Sequence, residues 1–536
     1  MKLKIALLVS SVACLFLLLL QFYLAFSSES FIYLWHHQMA DDIDSSIGES
    51  SLPDDYIVDD SFTSHLPLIV IDTHGKEIIN YKYYDSSSDS FRYEDGVDPY
   101  CSITIHVFDS EQHVNQLTDI PTYESNGKIK IRGNSSSALD KKQYRLHLLD
   151  DTGDKVRAPL LGLDPGAEWV LNGTQRDYTY MRNYLAYNLA HMLDAYSPEV
   201  RYCEVLKKVE GGYLYEGIYL LIEPIEQGEG RVAISNYDPG MLQSSYLLRR
   251  DRVDPSEFAL VTYADTSGIS QIWAETVSTQ VQLSLAYPKE SRVTNQTVEY
   301  IQDDISEIEE VIYSSNPNIF SKYPEYIDVE SFIDYFILNE FSMSYDAGLH
   351  STYMYKDVGG KLVMGPYWDF DGGWDNSSRT LTNFRYVVMC YRPYYDRLCT
   401  DKAFVDQLLS RYRYLRKGIL SDEYISDAIE STVEFLGNAI SRDRQRWGDD
   451  SSSRISVLTE DLTQLEVDRS RSVYEEEVMR LSDTITLHNE YMDKNLATQL
   501  TSMTIPSATR SSLIGWLVIV VFFVSVILVQ RVRKGQ

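Results

Sequence analysis

Apolar and polar residues change rhythm several times along this chain, and each change predicts a different kind of element. From Ile5 to Phe26 only Ser10, Ser11 and Gln21 interrupt an apolar run, and from Leu513 to Val529 only Ser525 does. A bilayer core takes about 20 apolar residues, about 17 at the lower end, so both ends read as transmembrane helices. Residues 27–65 are rich in Ser, Asp and Glu and read as a solvated spacer. LPLIVIDT then predicts an isolated strand, and a second polar run, YYDSSSDSFRYEDGVDP, ends near Pro99. From Tyr100 the period becomes two: CSITIHVFD, GKIKIRG and QYRLHLL are predicted strands. YTYMRNYLAYNLAHML, residues 178–193, has helical spacing, and CEVLKKVEGGYLYEGIYLLIEPI predicts a hairpin turning at Gly211-Gly212. Helices are expected around 297–315, 328–343 and 403–418, and only helical pattern follows Asp422. Residues 455–500, free of Pro and Gly, predict either a stalk toward the second span or a surface helix packed on the main domain.

This pattern is α+β, with a strand-rich N-terminal part and a helix-rich C-terminal part flanked by two transmembrane helices. It divides the chain into an anchor (1–26), an acidic spacer (27–99), a main domain (100–435), a helical stalk (436–511), a second span (512–530) and a basic tail (531–536).

Charge sharpens the picture. The 536 residues carry 79 acidic against 48 basic side chains, a net charge of −31 that argues against binding nucleic acid, which needs a basic footprint. All the acidic residues lie between the two apolar ends, whose basic residues are Lys2, Lys4, Arg531, Arg533 and Lys534. The positive-inside rule therefore puts both termini in the cytoplasm and the acidic middle outside a cell membrane. A cleaved signal peptide is the competing reading of the first span, because Ala25-Phe26-Ser27 is a passable cleavage site. Cys101, Cys203, Cys390 and Cys399 permit two disulfides in an oxidising compartment, Cys390 with Cys399 closing a short loop; four unpaired buried thiols are the alternative.

Three segments could carry chemistry. KIRGNSSS (130–137), followed by KKQYRL (141–146), is a small-residue turn beside a basic strand. Such a turn can bring backbone N–H groups to a phosphate; it can equally be an ordinary hairpin. It is not a Walker A loop. EFSMSYD (340–346) places Asp346 in a loop after a predicted helix and before the strand STYMYKD, where it faces a ligand or merely caps a turn. MGPYWDFDGGWDN (364–376) sets Asp369 and Asp371 two residues apart before two glycines. Two such carboxylates can converge on Mg²⁺, which takes one or two carboxylates plus phosphates and water; otherwise they satisfy backbone N–H groups in an aromatic turn.

Taken in order, RGNSS…KKQYRLHL, LLGL…EWVLNG…MRNYLAYNLA, GGYLYEGIYLLIEPI and YMYKD…GKLVMGPYWDFDGGW resemble the CotH spore-coat kinase family over roughly residues 100–380. The resemblance implies an atypical protein-kinase-like fold that transfers phosphate from ATP, with Mg²⁺ or Mn²⁺, to Ser of secreted or surface proteins. It implies that Asp346 orients the acceptor hydroxyl and that Asp369 and Asp371 hold metal. Lys142 becomes the phosphate-contacting lysine, with Lys141 and Arg145 as rivals, and Arg132 and Glu223 join it around the nucleotide, Glu223 pairing with the lysine. Ser351 stands five positions after Asp346, where ordinary kinases have an Asn for the second Mg²⁺; a Ser hydroxyl can also ligate Mg²⁺. The alternative is a catalytically silent CotH-like surface module, an adhesin or scaffold.

Overall fold

The computed structural model describes residues 43–505, apart from 87–89, 174, 194–195, 253–257, 278–280, 345, 377–386, 449–451, 459–463 and 471–472. The first half is a sheet of eight strands: β1 (Ile57–Val58), β2 (Leu68–Asp72), β3 (Cys101–Phe108), β4 (Tyr123–Ile131), β5 (Tyr144–Leu149), β6 (Glu168–Asn172), β7 (Val200–Val209) and β8 (Gly212–Ile222). Strands β7 and β8 form the predicted hairpin, and Gly211 and Gly212 turn it at φ of 88° and 157°. The sheet closes on itself, because β7 pairs both with β8 and with β2, and the ring returns through β3, β4, β5 and β6 to β8. Alternation fills the inside. Ile69, Ile71, Ile103, Ile105, Val107, Ile129, Ile131, Leu146, Leu148, Trp169, Leu171, Val205 and Leu221 form one buried cluster. A fully buried aliphatic side chain of this kind contributes about 1.5–3 kcal/mol.

The second half has a five-stranded antiparallel sheet and the long helices. Strands β9 (Tyr246–Arg252), β10 (Ala259–Leu260), β11 (Val281–Tyr287), β12 (Thr352–Lys356) and β13 (Val363–Met364) lie in the order β10-β11-β9-β12-β13. The helices that matter for the site are α1 (Arg182–His191), α2 (Asn295–Ile312), α3 (Val329–Phe341), α4 (Lys402–Leu415), α5 (Asp422–Trp447) and α6 (Tyr474–Met503). The outward faces of β6 to β8 (Val170, Tyr202, Ile218, Leu220, Ile222) enter the same core as α1 to α6, so the two halves share one apolar interior. Helix α5 also ties them electrostatically. Arg442 holds both oxygens of Glu204 at 2.8 and 2.7 Å, and Asp443 takes Lys141 and the Ile218 N–H.

Four expectations change. LPLIVIDT is no isolated strand: β2 lies in the ring, parallel to β7 and antiparallel to β3. Both its faces are apolar, Ile69 and Ile71 filling the ring and Leu68 and Val70 packing on a second cluster, and this is why it reads as an unbroken run. The chain from 43 onward accordingly belongs to the folded body, with Leu52 bonded to Gln445 of α5 at 2.7 Å. The region after Asp422 is not wholly helical, since 452–458 pairs antiparallel with 464–470. Helix α6 is not a stalk. Leu481, Ile485, Met492, Leu496 and Leu500 recur every four or seven residues and are buried against the main core.

Cys101, Cys203, Cys390 and Cys399 are free thiols. Among the described residues no helix is long and apolar enough to cross a membrane; both predicted spans fall outside those residues.

Candidate functional site

Two loops of the helical half build the site. Helix α3 starts at a cap in which Asp328 accepts the Ser331 N–H at 2.8 Å, and it ends at Phe341. The chain then turns through Met343, Asp346 and Gly348 into β12. The Asp346 carbonyl accepts from the Leu349 and His350 N–H groups at 3.0 and 2.8 Å. Gly348 sits at φ 81°, where a Cβ would lie 2.9 Å from the Arg392 side chain. The second loop leaves β13 and carries Trp368 to Asp375. It locks onto the first, with the Trp374 N–H donating to the Ser342 carbonyl at 2.7 Å and the Trp374 indole donating to the Phe341 carbonyl at 3.0 Å. Gly373 permits this approach, because a Cβ there would stand 2.8 Å from the Ser342 carbonyl.

Helix α1 holds the second loop from the other side. Arg182, fully buried and paired with Asp177 at 2.7 Å, donates to the Gly373 and Trp374 carbonyls at 3.0 and 3.3 Å. Asn183 accepts the Phe370 N–H at 2.8 Å, and the Tyr187 hydroxyl accepts the Asp369 N–H at 3.2 Å. Backbone strain gathers here. Of the eleven non-glycine residues at positive φ among those described, five are Met343, Ser351, Asp369, Trp374 and Asp375. Each costs about 1–3 kcal/mol and persists only where its surroundings over-determine it.

The loops bring the predicted acids together. Asp346, Asp369 and Asp371 are half-buried, and each lies close enough to another of the three for its charge to be felt. Burial is the main cause that raises the Asp369 carboxyl, and the Asp346 charge adds to it while Arg132 opposes. Asp371 is raised by burial and then by Asp369. Asp346 is raised by burial, with Asp251 and Asp371 adding and Arg252 opposing. The Ser351 hydroxyl donates to Asp369 at 3.4 Å. Asp251, at the end of β9 and 3.7 Å from His350, is a fourth acid that the sequence reading missed.

The basic side differs from expectation. Arg132, at the end of β4, is the barrel cation that faces this cluster, and Asp369 is the strongest charge supporting it. Its guanidinium lies 5.5 Å over the Trp368 ring and donates to Gln143 at 3.0 Å. Lys142 instead reaches back across the small-residue turn to the Ser137 carbonyl at 3.2 Å. Lys141 is buried against Asp443, and Arg145 binds Glu168 at 2.8 Å. Glu223 does not meet Lys142. It takes Arg231 at 2.6 Å and Tyr196 at 3.1 Å, and burial pushes its carboxyl up to about 7. The reason is local: Lys141 and Lys142 precede β5 and follow the turn rather than the strand's outward face. The turn itself needs Gly133 at φ 93°, where a Cβ would collide with the Ser136 hydroxyl, and Lys82 bridges its Gly133 carbonyl and Asn134 side chain at 3.0 and 2.7 Å.

Carboxylates and a hydroxyl are hard oxygen donors, the set that suits Mg²⁺ or Mn²⁺. Among the described residues no three acidic, His or Cys side chains form a metal cage by themselves.

A closed strand barrel docked on a helix-rich half, with acids from two strained loops close to one barrel arginine, makes this an α+β protein. The family model described as CotH kinase protein matches residues 129–492, and the chain belongs to that family. The match takes in both loops and α1 and runs into α6, further than the segments legible by eye. No curated protein matches the chain.

Proposed function

We propose that this protein is a membrane-anchored extracytoplasmic kinase that transfers phosphate from ATP to a Ser or other hydroxyl of surface or secreted proteins. The observation that carries the reading is the mutual proximity of Asp346, Asp369 and Asp371, with Arg132 beside Asp369. Phosphoryl transfer asks a protein for positioning and charge neutralisation rather than covalent chemistry. Asp369 and Asp371, with Ser351 beside them, are the residues that would hold Mg²⁺ or Mn²⁺, and the ion would neutralise phosphate charge. Arg132 is positioned on the barrel side to meet a phosphate oxygen. Asp346 sits on the separate loop, and its buried carboxylate is suited to orient an acceptor hydroxyl and accept its proton. The two terminal spans, with both termini in the cytoplasm, present this cleft outside the cell membrane.

The test is phosphotransfer by the full-length chain with labelled ATP and Mg²⁺ or Mn²⁺. Asp346→Asn is expected to abolish transfer while nucleotide affinity stays within about twofold, because its interaction belongs to the transition state. Ser351→Asn is expected to preserve or raise the rate. The Ser at that position favours one rival, a silent surface module. That rival wins if neither the native chain nor Ser351→Asn transfers phosphate with either ion.

A further inference from the structure

We infer that Asn183 and Tyr187 of α1 are positioning residues that fix the backbone of the metal-carrying loop and so set where the Asp369 carboxylate points. The inference rests on the reading of Asp369 as a metal ligand. Asp369 stands at φ 69°, a conformation that an L-residue with a Cβ leaves unless something holds it. Its N–H is bound by Tyr187 at 3.2 Å, and the next N–H, of Phe370, by Asn183 at 2.8 Å. The two side chains are four residues apart on α1 and therefore share one helix face. Both are buried, and Tyr187 is wedged against Trp368 and Phe370 at ring distances of 6.0 and 5.9 Å. Each side chain gives an oxygen to a backbone N–H of the loop. Rotation of Asp369 out of the left-handed region would swing its Cβ and take the carboxylate away from Ser351 and Asp371. Helix α1 thus does for this loop what outer-shell partners do for metal ligands generally, and loss of such partners costs about tenfold or more in metal affinity.

The experiment compares the full-length chain with Tyr187→Phe, Asn183→Leu and Asn183→Asp. Backbone hydrogen exchange is read first, without ligand, on peptides covering residues 366–376. Tyr187→Phe and Asn183→Leu are expected to speed exchange there about tenfold while the strands of the barrel keep their protection. Asn183→Asp retains an accepting oxygen and is expected to keep the loop protected. Affinity for Mn²⁺ with a non-hydrolysable ATP analogue is then read by electron paramagnetic resonance, and the first two variants should bind about tenfold more weakly. Should Asn183→Leu not fold, Tyr187→Phe alone decides. Unchanged loop exchange in Tyr187→Phe overturns the inference, and so does faster exchange with undiminished Mn²⁺–nucleotide affinity. If the native chain binds no Mn²⁺–nucleotide at all, it is the kinase reading that falls, and the ligand-free exchange still decides whether α1 fixes the loop.

Discussion

Replacing Glu340 by Gln should stabilise this protein at pH 8 and change it little at pH 5. Glu340 lies in the last turn of α3, six residues before Asp346, and only 3% of it is exposed. One carboxylate oxygen accepts both the Val388 and the Met389 N–H groups, at 2.9 and 2.8 Å. His488 of α6 stands 3.9 Å from the other oxygen, Arg392 is a more distant positive neighbour, and Cys390 lies nearby. Burial outweighs these partners and pushes the carboxyl from 4.5 up to about 7. A carboxyl raised in the fold favours folding while it is protonated. That contribution is full below about pH 4.5 and is lost as pH rises through about 7. At 1.36 kcal/mol per pKa unit, the loss between pH 5 and pH 8 is on the order of 2 kcal/mol. Gln keeps an oxygen able to accept both N–H groups and cannot ionise. The stability difference between Glu340→Gln and the native chain, measured by urea denaturation across pH 5 to 8, should therefore grow by that amount toward pH 8. Parallel pH profiles for the two proteins would refute the reasoning, because the ionisation of Glu340 would then carry no folding cost.

Three further outcomes are expected. Asp369→Ala should abolish divalent-dependent nucleotide binding in a titration with Mg²⁺–ATP, yet its ligand-free melting temperature should equal or exceed the native value, since a buried charge repelled by Asp346 is removed. Arg442→Met should cost about 3–5 kcal/mol in chemical denaturation, because it leaves the wholly buried Glu204 carboxylate without its guanidinium. Cys390 and Cys399 should resist alkylation in the folded protein and react only on unfolding, since both are buried and burial holds the Cys390 thiol up to about 12.

How much of this was legible depends on the range of the contact. The strands β3, β4 and β5 and the hairpin of β7 and β8 follow from alternation and one Gly-Gly turn, which are local signals. Closure of the ring was not legible, because β2 pairs with a strand more than 130 residues later and its unbroken apolar run names no partner. Helix α6 carried an amphipathic stripe, but Glu477, Thr484, His488 and Asn489 lie buried within it and disguised the face. At the site, residue type and loop position singled out Asp346, Asp369 and Asp371, which the structure sets near one another. Residue type failed for Lys142 and Glu223, where the chain's exit from a turn or a strand decides the direction of the side chain. Arg132 was among the named candidates, and the structure sets it beside Asp369. Asn183 and Tyr187 gave no chemical signal. They act on backbone N–H groups more than 180 residues away, and only their i, i+4 spacing beside Arg182 could have suggested a shared task.

The charge balance of the cleft and the strain of its loops point the same way. Burial, with the neighbouring carboxylates adding to it, raises the carboxyls of Asp346, Asp369 and Asp371 despite Arg132, Arg176, Arg252 and Arg392. Relaxing the loops would relieve both the repulsion and the positive φ values of Ser351, Asp369, Trp374 and Asp375. What prevents relaxation lies outside the cleft: the α1 contacts to residues 369–374, the Trp374 contacts to the end of α3, and the buried seat of Arg182. Strain held by distant packing at a cluster of like charges is a state that a cation can stabilise without moving the scaffold, because the geometry is set before it arrives. The same logic places the cost in the helical half and leaves the barrel to contribute a single arginine. Changes in the acids should therefore alter ligand binding before they alter folding, whereas changes in α1 should loosen the loop even when no ligand is present.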